Sequence, residues 1–180
     1  PRALAGPAAA LAMSHPLRAE EGPRPADVVA AMIVGAKPGL VRVAGVGHAT
    51  DATQIGDRDL LAMSALAGAA RTALSEAGRT LDDIGIVEID GMTLPDEAIA
   101  LEALGLCAPG EGFLAYSEAC RINPSGGSGA GWCYPAMGLV RAAECFLRLR
   151  QETGRCRTAL AVGSGMVGMQ TSPAVVLEAA

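Results

Sequence analysis

Asn123-Pro-Ser-Gly-Gly-Ser-Gly-Ala-Gly131, continued by Trp132-Cys-Tyr-Pro135, is the stretch on which the fold turns. Gly126, Gly127, Gly129 and Gly131 permit positive φ and close backbone approach, and Pro124 stiffens the chain where the loop begins. Exposed N–H groups in such a loop can hold a carbonyl or thioester oxygen, although the same composition also suits a plain connector. Residues 136–152 then carry Met137, Val140, Ala143 and Leu147 on one helical face, and Glu144 stands four before Arg148. That pattern predicts an amphipathic helix directly after the loop.

On either side the texture is that of a layered α/β sheet. Val28-Val-Ala-Ala-Met-Ile-Val34, Leu40-Val-Arg-Val-Ala-Gly-Val46, Ile84-Gly-Ile-Val-Glu-Ile89, Thr158-Ala-Leu-Ala-Val162 and Ala174-Val-Val-Leu177 are short apolar runs bounded by Gly or Pro, as covered strands are. Asp57 to Ala77 repeats Leu60, Met63, Ala67, Ala70 and Leu74 at helical spacing, with Gly78 where a C-terminal cap belongs. Asp96 is positioned to cap a helix to Leu104, stopped by Gly105. The expected architecture is one mixed five-stranded sheet between helices, over residues 27–180, preceded by an irregular Pro- and Ala-rich arm, residues 1–26.

Composition narrows the function classes. The 180 residues are 51% apolar but only 3% aromatic, so Ala, Val, Leu, Ile and Met must build the core. A net charge of −5 argues against a non-specific nucleic-acid binder, which needs clustered positive charge. A mean hydropathy of +0.33 with 18% charged residues leans towards a subunit that buries surface against a partner. No apolar run approaches the ~20 residues of a membrane span. Pro7 interrupts the Ala-rich start and no cleavage site follows, so a secretory signal is not expected. Cys107, Cys120, Cys133, Cys145 and Cys156 are odd in number and form no CxxC pair. They read as reduced thiols of a cytoplasmic protein without a zinc site.

Gly163-Ser-Gly-Met-Val-Gly168 matches the dinucleotide pattern literally, but a final strand follows it where a helix would be needed, so a Gly turn is the better account. The Asn123–Gly127 loop, Pro135, Gly138-Leu139 and Glu144 resemble the thiolase superfamily, and most nearly its lipid-transfer or sterol-carrier branch. Arg42-Val-Ala-Gly-Val-Gly47 with Thr50-Asp51, Asp82-Asp-Ile-Gly-Ile-Val-Glu88, Ala103-Leu-Gly-Leu with Gly110-Glu-Gly112, and Ala174-Val-Val-Leu-Glu178 are similar to further family segments in the same order. The resemblance covers roughly residues 14–180 and implies the C-terminal half of a two-half fold whose nucleophilic cysteine belongs to the other half.

The departures bear on chemistry. The family histidine expected after the Glu88 strand is absent, and Asp90-Gly-Met-Thr93 stands there. The histidine of the Gly-His-Pro motif is absent too, with either Cys133 or Tyr134 in its place, and Val162-Gly-Ser-Gly165 lacks the late cysteine. Claisen chemistry needs a thiolate and a second base, and this sequence supplies neither. Candidate catalytic residues are therefore Tyr134, Cys133, Asp90 and His48, the last with Asp51 near enough in sequence to orient it. Asn123, Ser125, Gly126 and Gly127 are the candidates for substrate binding. Each has a bland alternative: a packed phenol, a buried thiol, a solvated carboxylate, a loop histidine. The resemblance implies acyl-CoA thioesters as substrates, with coenzyme A part of the substrate and no covalently bound cofactor. It also implies a partner chain carrying a thiolase N-terminal half, with a small DUF35-type zinc-binding protein as a further partner. The expected activity is acyl transfer or retro-aldol cleavage of a carbon–carbon bond; the competing expectation is a non-catalytic subunit that completes a partner's fold.

Overall fold

A computed structural model describes residues 15–118, 121–151, 156–165 and 167–180. In chain order its elements are β1 (Val41–Thr50), α1 (Ser64–Ala77), β2 (Ile86–Ile89), α2 (Leu94–Leu104), α3 (Gly112–Glu118), α4 (Gly127–Ala130), α5 (Met137–Gln151), β3 (Thr158–Val162) and β4 (Thr171–Ala179), with short 3-10 turns between some of them. The sheet order is β1-β4-β3-β2. β2 and β3 are parallel, whereas β4 runs antiparallel to both β3 and β1, so the sheet is mixed as expected.

The strand period of two sorts the apolar residues into two layers. Val87, Ile89, Leu160, Val162, Ala174 and Val176 meet α1 and α2, with Leu66, Ala69, Ala73 and Leu101 between them. Ile86, Ala159, Ala161 and Leu177 turn the other way and meet Ala142, Cys145 and Leu149 of α5. Alanine and glycine carry much of this packing because the backbones are close. A Cβ on Gly45 would lie 2.1 Å from the Ala73 carbonyl oxygen, and one on Gly47 would lie 2.0 Å from that of Ala69. β1 can lie against α1 only because those positions have no side chain.

The sheet has four strands rather than the five expected. Residues 28–34 form no strand: Val29 and Ile33 are fully exposed, and Met32 alone joins the α5-side core. An apolar run marks a strand only if a neighbouring strand is free to pair with it, and among the described residues none pairs there. The outer edge of β2 instead receives a single parallel bridge from Ile122, with Val87 N–H donating to the Arg121 carbonyl and Asn123 N–H to that of Val87.

Two helix starts also differ from expectation. α1 begins at Ser64, and the six residues before it form irregular chain in which Leu60 and Leu61 are exposed. α2 is capped by Thr93, whose hydroxyl accepts from Asp96 N–H while the Asp96 carboxylate accepts from Thr93 N–H. Asp96 thus closes a capping box from inside the helix. α3 and the single turn α4 lie where no helix is expected. Gly78 and Gly105 do stop α1 and α2, both in the left-handed conformation.

Candidate active site

The Gly-rich loop is tied to the sheet by two buried carboxylates. Glu88 follows Val87 in β2 and points to the α5 side, where it is fully buried. Its Oε1 accepts from Ser125 N–H at 3.0 Å and its Oε2 from the Ser125 hydroxyl at 2.6 Å. Arg141 of α5 donates from Nη1 to Ser125 Oγ at 2.8 Å and lies 3.4 Å from Glu88 Oε2. Arg148 approaches Glu88 from the next turns and donates to the Pro124 carbonyl. Burial pushes the Glu88 carboxyl above its ordinary value, against the opposing pull of Ser125 and the two arginines.

Glu97 of α2 holds the other end of the loop by accepting from Ser128 N–H at 2.9 Å. A Cβ on Gly127, which has φ +58°, would meet both Glu97 carboxylate oxygens within 2.8 Å. Asn123 is buried too; its Oδ1 accepts from Ile89 N–H at 2.5 Å. The Ser125 and Ser128 amides are thus engaged by the protein's own carboxylates. Asn123, Ser125, Gly126 and Gly127 do not line the main cavity. Arg141 Nε and Nη2 and Asn123 Nδ2 are buried without a hydrogen-bond partner among the described residues.

A cavity of about 520 Å³ opens at the C-terminal ends of the parallel strands β2 and β3. In α/β sheets this is where loops diverge and leave room for a ligand. Leu60, Leu61, Met63, Met92, Ile99 and Met169 give it an apolar wall, while Asp90, Tyr134, Trp132, Ser164 and Asp96 supply polar atoms. Asp51 and Arg58 also line it, with Arg58 Nη1 3.9 Å from Asp51 Oδ2.

Asp90 is the distinctive group. Its backbone N–H donates to the Val162 carbonyl, its own carbonyl accepts from the Ser164 hydroxyl, and the residue is only 9% exposed. Burial pushes its carboxyl up to about 6, although Arg141, the Ser164 backbone and the Trp132 side chain favour the ionised form. Such a group is mostly ionised at neutral pH yet keeps appreciable proton affinity, as a general base requires.

Of the four candidate catalytic residues, the fold brings Asp90 and Tyr134 into one cavity. Tyr134 is 57% exposed, and its ring stacks on Trp132 with centroids 6.0 Å apart. Cys133 lies between these aromatics in sequence but does not line the cavity; its carbonyl accepts from Ala136 N–H just before α5. His48 is exposed on β1, opposite Pro173 of β4, and is not on the cavity wall either. Asp51, which sequence proximity offers to His48, accepts from Ala65 N–H at the start of α1 instead. Trp132, Leu60 and Leu61 are cavity residues that sequence reasoning misses. A lone tryptophan beside a Gly-rich loop is the signal that was available for the first. The described residues contain no cluster of three or more His, Cys, Asp or Glu fit for a metal ion, and no helix among them is long and apolar enough to cross a membrane.

A mixed sheet layered between helices, with a glycine-rich loop leading into the helix on one face, is one half of a thiolase fold. The structure aligns with human mitochondrial 3-ketoacyl-CoA thiolase at a TM-score of 0.55 and 22% identity, over 78% of this chain and 31% of that one. The chain belongs to the thiolase C-terminal domain-like family, which matches residues 47–178. It is similar to the acetyl-CoA acetyltransferase of Methanothermobacter thermautotrophicus, 35% identical over 106 residues, or 54% of this chain and 28% of that protein. It is also similar to human sterol carrier protein 2, 36% identical over 95 residues, or 48% of this chain and 17% of that protein. The matched segments therefore make up less than a third of these relatives.

Proposed function

We propose that this chain forms one face of a thiolase-like active site that makes or breaks a carbon–carbon bond in acyl-CoA thioesters, as a subunit whose partner carries a thiolase N-terminal half. The observation that carries this reading is the shared cavity, where a buried, proton-seeking Asp90 and the Tyr134 phenol meet under an apolar wall. The wall suits an acyl chain, with coenzyme A as part of the substrate.

Retro-aldol cleavage fits these groups best. On a β-hydroxyacyl thioester, Asp90 accepts the hydroxyl proton and the new carbonyl forms as the Cα–Cβ bond breaks. The electron pair passes to the α-carbon as the thioester enolate. Tyr134 donates a hydrogen bond to that enolate, and a proton then returns to the α-carbon. Cys120 lies outside the described residues and none of the described cysteines lines the cavity; for acyl transfer through a covalent thioester the reading calls on a thiolate from the partner's half. A cytoplasmic site and a further small DUF35-type zinc-binding partner belong to the same proposal.

A second reading is favoured by one observation. Two of the loop amides that could bind a substrate oxygen, those of Ser125 and Ser128, are taken by Glu88 and Glu97, as in a scaffold built for shape alone. In that reading the chain completes a catalytic partner's fold. The deciding experiment is co-purification from the native host, followed by acyl-CoA turnover with Tyr134→Phe and Asp90→Asn variants of the complex. A loss of tenfold or more in kcat for both supports catalysis by this chain. Unchanged turnover in both establishes the scaffold instead.

A further inference from the structure

Residues 52–62 lie between β1 and α1, and all of them are exposed except Arg58. The Arg58 side chain turns inward and is only 8% exposed. A cation gives up its water only where charge and acceptors replace it. Arg58 Nη2 donates to the Gly168 carbonyl at 2.8 Å, and Nη1 lies 3.9 Å from Asp51 Oδ2. Asp51 in turn is held at the root of the connection. Its N–H donates to the Gln170 carbonyl at 2.7 Å, and its Oδ2 accepts from Ala65 N–H at 3.0 Å as α1 begins.

The turn that receives the guanidinium is shaped for it. Gly168 and Met169 are both left-handed, with φ +61° and +56°. A Cβ on Gly168 would lie 2.8 Å from Arg58 Nη2 and 3.5 Å from the Ile55 side chain. The last glycine of the Gly163-to-Gly168 pattern is therefore the place where Arg58 comes closest to the main chain, which accounts for that glycine without a nucleotide.

What this tie positions is apolar. Leu60 and Leu61 follow Arg58 by two and three residues and are 49% and 67% exposed. Both line the cavity, together with Met63 from the same connection and Met169 from the receiving turn. Large apolar side chains held against water on a cavity wall gain free energy when an apolar ligand covers them.

We propose that Arg58 is a positioning residue, and that it fixes Leu60 and Leu61 as the wall that selects an acyl group by its apolar length. This rests on the function proposed above in taking the ligand to be an acyl thioester; the tie between Arg58 and the Gly168 turn stands without it.

Calorimetric titration of the full chain with acetyl-CoA and with decanoyl-CoA separates the acyl contribution from that of the shared coenzyme A. Decanoyl-CoA should bind about tenfold more tightly or better, because each methylene taken from water adds to affinity. Leu60→Asn/Leu61→Asn, at exposed positions, should cut that ratio about tenfold and leave acetyl-CoA affinity unchanged. Arg58→Met, close in length but without charge or donors, should cut it by a similar factor. Arg58→Lys keeps the charge and loses the fork, so its ratio should fall between those of Arg58→Met and the wild type. Gly168→Ala crowds Nη2, so its effect on the ratio should be large in the wild type and small in Arg58→Met. Decanoyl-CoA that binds no more tightly than acetyl-CoA, or a ratio unmoved by the leucine pair, overturns the wall. A ratio unmoved by Arg58→Met, or effects of Arg58→Met and Gly168→Ala that simply multiply, overturns the tie. Should Arg58→Met fail to fold, Arg58→Lys takes its place, and a wild-type ratio in that variant overturns the tie in the same way. Selective binding of decanoyl-CoA in a complex that does not turn over acyl-CoA would refute the proposed activity and leave wall and tie intact.

Discussion

Replacing Asp90 by Asn should make the protein more stable at neutral pH. The Asp90 carboxyl ionises near 3.8 in the unfolded chain and at about 6 in the folded one, because folding takes it out of water. Its proton therefore binds more tightly in the folded state. Stability from that difference is fully present below the unfolded value and is lost as pH rises through the folded one. The gap of about 2 pH units corresponds to about 3 kcal/mol against folding at neutral pH, at 1.36 kcal/mol per unit. Asn keeps the shape and an acceptor for Trp132 and Ser164 but never ionises. Urea unfolding should show the Asn variant more stable by about 1–3 kcal/mol at about pH 8, with the advantage shrinking below about 1 kcal/mol near pH 4. Over that range the wild-type curve should approach the variant's. A variant that is less stable than wild type at every pH, or more stable by an amount that does not change with pH, would refute the claim that Asp90 is held in the cavity at an electrostatic cost.

Two further substitutions test the packing that positions the site. Gly47→Ala puts a Cβ 2.0 Å from the Ala69 carbonyl oxygen, so β1 must lift from α1; a loss of about 3 kcal/mol or more is expected by chemical denaturation, whereas Gly129→Ala, with open space around it, should cost far less. Arg141→Met removes the buried cation beside Glu88 and should cost about 3–5 kcal/mol at neutral pH. That loss should grow with rising pH, since the Glu88 carboxyl already favours its proton, and the double variant Glu88→Gln/Arg141→Met should recover most of it. A double variant as unstable as Arg141→Met alone would show that the arginine's packing matters and its charge does not.

Four strands, two helix stops and the long α5 are legible in the sequence because their signals are local. Val87 and Ile89 alternate with Ile86 and Glu88 inside an apolar run, and Gly78 and Gly105 end their helices in the one conformation that favours glycine. Residues 28–34 mislead because β-branched and apolar residues report affinity for a surface, while a strand also needs a ladder partner. Leu60 misleads in the same way: its spacing from Met63 and Ala67 fits a helix, but it faces a cavity. The site itself is assembled from residues 58–63, 90–99, 132–134 and 164–169, whose approach depends on sheet order and leaves no local mark. Asp90 and Tyr134 were legible as departures from a family pattern. Their meeting in one cavity was not.

Glu88 and Asp90 show how one strand can supply two acids with different roles. They are two residues apart, and Arg141 acts electrostatically on both. Glu88 lies within the ladder, opposite Ala161 of β3, where the loop and α5 surround it. There Ser125 supplies two hydrogen bonds and two arginines supply charge, so its oxygens are committed to structure. Asp90 lies one residue past the last paired position, where β2 and β3 end and their loops part. It keeps the burial and loses the close cation. A carboxyl that is desolvated but not ion-paired retains its proton affinity, and the cavity gives it access to a ligand. Just beyond the ladder an acid stays desolvated without a close cation, so the position of Asp90 at the strand end sets its proton affinity as much as its identity does. Exchanging the two roles by Glu88→Gln should loosen the loop and leave the Asp90 titration in place, while Asp90→Asn should do the reverse.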